Sequence, residues 1–323
     1  NSNILVIKKA VFEISKIIEK QSLRDTRDEL KISNFFSNSL LVNSEFVNID
    51  PSRANDLEYS ISIYDSLGIN NNIDALYRLA ELRYLVIGDL DGAMQTYNTI
   101  TNLSKRRSQV FSSTTRIIDI YLSKGDLEGA QEELEKAKII YSSTDQMIEL
   151  SIKEMQIEFY NKQFDSMINI AQNLLLKTRK NHIRYNDILN FLEIILTFGD
   201  KNELLSIFSD AQFKIKQNKR MESIKFLNQI MDCEGTMIRN LIRYQLAYLW
   251  YLQEDYTKAL DITYMIDGQD IYSELGLILN AEIYEKPLSN INSAIKSYLS
   301  FISKFPNSIF YDEIRIHIRR LAS

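Results

Sequence analysis

The sequence predicts an all-α chain, a solenoid of antiparallel helix pairs, and three observations predict it. Prolines number three and glycines nine in 323 residues, so long helices joined by short turns are the simplest use of the chain. "IGDLDGAMQTYNTI" at 87–100 is echoed by "KGDLEGAQEELEKA" at 124–137. The interval from Gly88 to Gly125, 37 residues, then repeats, landing on Lys162 in "YNKQFDSMINIAQNLL" and on Gly199 in "TFGDKNELLSIFSDA". A period of that size is one helix–turn–helix unit, too long for a heptad and too short for a domain.

In order along the chain, Ile4, Ile7, Val11, Ile14 and Ile18 trace a heptad stripe, and Leu30, Phe36 and Leu40 a weaker one. They predict a helical pair over 3–20 and 26–42 within an N-terminal segment 1–48. Two heptads are too short to hold a coiled coil, so the stripe is expected to pack on the next repeat. Asp50-Pro51 opens a helix over 51–67, with Asp as N-cap and Pro at the first helical position. Its Leu57, Ser60, Tyr64 and Leu67 read as the second helix of an eroded unit.

The units that follow place Tyr84, Ala93, Tyr97 and Ile100, then Tyr121, Ala130, Leu134 and Ala137, on one face of each helix pair. The alanine after the turn lets two helices approach, and the larger residue four positions on fills the space beside it. Met167 and Leu204 or Leu205 take the small position in the third and fourth units, which predicts looser packing there. From Gly199 to Glu254 is 55 residues, 18 more than one period. The surplus is "MESIKFLNQIMD" (221–232), an added helix closed near Gly235, where a bend is expected. The resulting division is a first arm over 51–219, an insertion over 220–235 and C-terminal repeats over 236–323. The later units are marked by Ala247, Trp250, Tyr256 and Ala259, then by Ala281, Tyr284, Ala294, Tyr298, Phe301 and Pro306, with one residue inserted at the last turn.

This pattern resembles the tetratricopeptide repeat family over about residues 52–320, with Lys162 and Glu254 standing where that family favours Gly. The resemblance implies a right-handed superhelix whose first helices line a concave surface. On that surface it places Arg78, Arg116 and the stripe Tyr244, Tyr248 and Tyr251 as contacts for a protein or peptide partner, with at least one of the tyrosines expected in the core. Tyrosine suits the task through its rigid apolar ring and polar tip. The Lys and Asn set with which some members clamp a C-terminal carboxylate is missing, since Arg78 and Leu82 stand at two of its positions. "SYLSFISKFPNSIFYDEIRIHIRRL" (297–321) is similar to the last repeats of bacterial envelope-associated members, which implies a periplasmic setting beside a cytoplasmic one.

Composition narrows the chemistry. A net charge of −5 with both signs interspersed lacks the basic excess of a nucleic-acid binder, so no nucleic-acid partner is expected. Cys233 is the single cysteine, expected to be a small buried residue, and His182 and His317 are isolated, so no metal or cofactor is expected. The Gly-Asp turns follow helices, not the strands that a phosphate loop needs. Acidic pairs such as Glu132 and Glu133 read as a solvated face. No apolar run spans a bilayer. The basic clusters "KTRKNHIR" (177–184), "KIKQNKR" (214–220) and "IRIHIRR" (314–320) sit near helix ends, where cations favour the dipole, and leave docking to an acidic partner or membrane surface as the other use.

The expected function is a non-catalytic scaffold for protein–protein interaction, within a multiprotein complex. The alternative, motivated by a first residue that is Asn1 and not Met, is the docking or regulatory part of a larger enzyme or receptor with its catalytic region upstream.

Overall fold

In the computed structural model, residues 2–24, 46–49 and 51–322 are described. The chain is all-α apart from a two-residue antiparallel bridge of Leu23–Arg24 with Asn48–Ile49. The described residues divide into two compact units, one made of 2–24, 46–49, 51–189 and 216–218, the other of 190–215 and 219–322.

The first unit is a stack of helix pairs. Its helices are α1 (Ser2–Ser22), α2 (Ala54–Ile69), α3 (Ile73–Leu82), α4 (Leu90–Leu103), α5 (Arg107–Lys124), α6 (Leu127–Ile140), α7 (Thr144–Tyr160) and α8 (Phe164–Lys177), and each packs on the next. The start of α9 (Tyr185–Thr197) closes it. The expected helix over 26–42 lies outside the described residues. Helix α1 packs on α2, which buries Leu57, Ser60, Tyr64 and Leu67 as a second helix should. The next core gathers Ala80, Tyr84, Ala93, Tyr97, Ile100, Ile117 and Ile120. Ala130, Leu134 and Ala137 are buried one repeat later, but Tyr121 is only half-buried. It lies over Gly129, where an added Cβ would meet its ring at 2.7 Å.

The heptad stripe of α1 is used differently from the expectation. The residues of α1 that are buried are Ser15, Glu19 and Ser22, whereas Ile7 and Ile14 are exposed. Ser60 Oγ donates to the Ser15 carbonyl and Tyr64 Oη to Glu19, so polar partners on α2 select the polar side of α1.

The second unit contains the rest of α9, α10 (Asn202–Lys216) up to Ile215, α11 (Arg220–Ile230), α12 (Thr236–Leu252), α13 (Tyr256–Tyr264), α14 (Ile271–Glu285), α15 (Ile291–Lys304) and α16 (Tyr311–Leu321). From α11 onward each helix packs on its successor. Between Gly199 and Glu254 the chain forms α10, α11 and the greater part of α12, and α11 buries Ile224, Leu227 and Ile230. Leu205 is buried and takes the small position in place of Ala, while Leu204 is half-buried. Ala247, Ala259, Ala281, Ala294, Tyr298 and Phe301 are buried; Trp250 is half-buried under the Lys258 ammonium, 4.1 Å from its ring centre. Cys233 is half-buried, not buried, because it sits in the loop after α11; desolvation there still pushes its thiol up.

The 37-residue register is a backbone conformation. From α3 onward, at six turns from a first to a second helix, one residue is left-handed: Gly88 (φ 76°), Gly125 (82°), Lys162 (61°), Gly199 (54°), Glu254 (60°) and Ser289 (49°). Glycine is the residue that adopts this region without steric cost. In four of these turns the Asp or Asn that follows is the N-cap of the next helix. Asp89 accepts from Gly92 N–H at 2.9 Å, Asp126 from Gly129 at 2.8 Å, Asp255 from Lys258 at 3.1 Å and Asn290 from Ser293 at 3.1 Å. Gln163 makes no such bond. The residue inserted at the last turn is absorbed ahead of Ser289, leaving turn residue and cap in register.

Candidate interaction surface

Helices α1, α3, α5 and α7 of the first unit are the first members of their pairs, and charges connect each to the next. Arg78 on α3 reaches back to Glu19 on α1, Nε to Oε2 at 3.2 Å. Arg116 on α5 grips Glu81 on α3 through two bonds, at 2.9 and 3.1 Å. Lys153 on α7 reaches Asp119 on α5 at 2.6 Å. Arg184, just ahead of α9, holds Glu149 on α7 at 2.7 and 3.2 Å. In α3 and α5 the cation that points back and the acid that points forward stand three residues apart, on one helix face.

Buried hydroxyls complete the acids. Tyr64 Oη donates to Glu19 at 2.8 Å, and Tyr97 Oη donates to Glu81. Burial, then the Glu81 charge, push the Tyr97 phenol far up, so it remains a donor. Asp119 is enclosed as well, with 4% of its side chain exposed, and Lys216 joins Lys153 on it at 3.0 Å. Burial by itself would raise this carboxyl; Lys153, Lys216 and Arg116 outweigh that and hold it well below the usual carboxylate range.

Between α1, α3 and α5 lies an open groove of about 570 Å³. Phe12 and Lys16 line it from α1, Tyr77 and Arg78 from α3, and Gln109 and Ser112 from α5. Lys16 is paired with Glu13 at 2.9 Å, and Gln109 donates to Asp74 at 2.7 Å. What the groove offers a ligand is therefore aromatic and neutral polar surface over charges that already neutralise one another.

Of the residues singled out from sequence, Arg78 lines this groove, bound to Glu19. Arg116 is engaged by Glu81 and lies 5.9 Å over the Tyr84 ring. In the second unit, Tyr248 and Tyr251 are buried and stacked, centroids 6.3 Å apart, and Tyr251 also meets Tyr256 at 5.8 Å. Tyr244 is half-buried, its ring 6.3 Å from Tyr272. His317 Nε2 lies 2.7 Å from Glu285, which also accepts from Tyr298 Oη at 2.9 Å. The acids of the ladder were missed by sequence reasoning, although "RLAE" (78–81) and "RIID" (116–119) repeat the same charge pair one unit apart.

Helix pairs in register and a left-handed turn residue between their members define a helical repeat protein. The family described as Tetratricopeptide repeat matches at residues 74–103 and 281–308, so the chain carries tetratricopeptide repeats in both units. No curated protein matches the chain. Among solved structures it is similar to the TPR domain of P58(IPK), at 13% identity and a TM-score of 0.30, over 84% of this chain and 70% of that one.

Proposed function

We propose that the chain is a non-catalytic scaffold that holds a segment of a protein partner in the groove between α1, α3 and α5, within a multiprotein assembly. The groove itself carries the proposal. It is long enough to cross three first helices, open to solvent, and lined by Phe12, Tyr77, Gln109 and Ser112. An aromatic floor with neutral donors and acceptors suits an extended peptide, whose backbone needs hydrogen bonds and whose side chains need apolar contact. The ladder beneath spends its charges internally, which argues against a clamp for a terminal carboxylate. Tyr244 is the member of the tyrosine stripe that a partner could reach in the second unit. A periplasmic compartment rests on the resemblance of residues 297–321 alone, and cell fractionation tests it.

The groove is tested by affinity capture with the intact chain against Lys16→Glu/Ser108→Trp, two exposed positions on its rim. The expected result is loss of the captured partner with helical circular dichroism unchanged. Equal recovery by both chains would remove the groove from the function.

A further inference from the structure

One edge of the first unit carries features the groove does not use. Here the second helices end and the next first helices begin, so α4, α6 and α8 each present their last turn. Each last turn holds exposed aliphatic side chains: Leu103 on α4, Ile139 and Ile140 on α6, and Leu176 on α8, followed by Ile183 in the next loop. Ile139 and Leu176, one period apart, are 86% and 84% exposed, and Ile183 is 86% exposed. Helix ends in a folded chain seldom leave three side chains of this kind so bare in one row.

Cations surround them. Lys105 and Arg107 follow Leu103, and Lys177, Arg179 and Lys180 follow Leu176. All five are exposed, and none makes an ion pair among the described residues. The acids at this edge are partly engaged: Asp74 by Arg106 at 3.4 Å and by Gln109, and Asp145 by His182 at 3.6 Å. The loops adjoin, since Arg107 donates to the Ile140 carbonyl at 3.4 Å. Between the next two loops lies a cavity of about 480 Å³ lined by Thr144, Lys177, Arg179, Asn181 and His182.

We propose that this edge docks on an anionic lipid surface, with Ile139, Leu176 and Ile183 entering the headgroup boundary and Lys177, Arg179 and Lys180 meeting the phosphates. Charge selects the partner: a chain of net −5 keeps cations without an ion pair among the described residues beside its barest aliphatics. Shape selects a surface over a peptide. Ile139, Leu176 and Ile183 are more than four-fifths exposed, Ile183 at the mouth of the cavity it helps line, so most of their apolar surface is turned to solvent and not into a groove. Aliphatic insertion flanked by lysine and arginine is the combination that holds proteins on anionic membranes without a span.

The test is co-sedimentation of the full chain with vesicles of equal parts phosphatidylserine and phosphatidylcholine, beside vesicles of phosphatidylcholine alone. The expected result is binding to the first and none to the second, weakening as salt rises. Lys177→Glu/Arg179→Glu/Lys180→Glu should lower the partition by at least about fivefold per cation. Ile139→Ser/Leu176→Ser/Ile183→Ser should abolish it, both variants keeping wild-type circular dichroism. No sedimentation with the anionic vesicles, equal sedimentation with both, or retention by either variant overturns the proposal. Capture of a polyglutamate peptide in place of the vesicles would overturn it too, in favour of an acidic protein partner.

Discussion

Glu81 and Arg116, 35 residues apart in sequence, meet as a two-bond pair, Nε to Oε1 at 2.9 Å and Nη2 to Oε2 at 3.1 Å. The pair joins the first helix of one repeat to the first helix of the next, and the Tyr97 hydroxyl completes it from the second helix between them. A flat guanidinium against a flat carboxylate fixes orientation as well as distance, which a lysine cannot do. Arg116→Lys should therefore lower stability by about 1–2 kcal/mol, and Arg116→Ala by more, because it leaves Glu81 half-enclosed without its partner. Urea unfolding followed by circular dichroism reads both, as a lower midpoint with an unchanged slope.

Asp119 links folding to pH. Its carboxyl is depressed in the folded chain, so its contribution to stability is fully present above the unfolded value near pH 4 and is lost as pH falls through the folded one. Asp119→Asn should cost about 3–5 kcal/mol at neutral pH, because Lys153 and Lys216 are left enclosed beside a neutral group. The difference between wild type and variant should shrink in melts run at successively lower pH below 4. A constant difference would mean that another acid governs the acid transition.

Turn chemistry can be tested without touching the core. Gly88 is left-handed with nothing within 4 Å of a built Cβ, so Gly88→Ala isolates backbone strain and should cost about 1 kcal/mol. Gln163 lacks the cap bond that Asp89 and Asp126 make, so Gln163→Asp should gain about 1 kcal/mol. Thermal melts of the two variants should move in opposite directions.

The small residue after the turn sets how closely two helices approach. Ala130 is fully buried, and Ala130→Leu should overpack the α5–α6 pair at a cost of about 1–3 kcal/mol. Ala130→Gly should also destabilise, by about 1 kcal/mol through helix propensity, without the near-ultraviolet circular dichroism change that repacking of Tyr121 and Tyr141 would bring.

The opening Gly-Asp-Leu phrase was legible from sequence because both of its functions act within four residues. Gly88 and Gly125 turn the backbone, and Asp89 and Asp126 cap the helix that follows. Even where the phrase is lost, at Lys162 and Glu254, the left-handed conformation persists, since the helices on either side leave the chain one way to turn. The tyrosines were harder to place. Spacing put Tyr244, Tyr248 and Tyr251 on one face of α12, but burial separates them, because Tyr251 stacks on Tyr248 and packs against Tyr256 of the next helix.

Sequence by itself determined the helix pairs of the repeats, their turns and the small residues that allow close packing, all of which depend on neighbours within one or two helical turns. Tertiary structure alone decided which charges meet. Arg78 with Glu19, Arg116 with Glu81 and Lys153 with Asp119 lie 59, 35 and 34 residues apart. It also left Ile139, Leu176 and Ile183 bare beside cations that make no ion pair among the described residues. The physical reason is that charge attraction and apolar burial act through space, and only the stacking of one helix pair on the next brings such residues together.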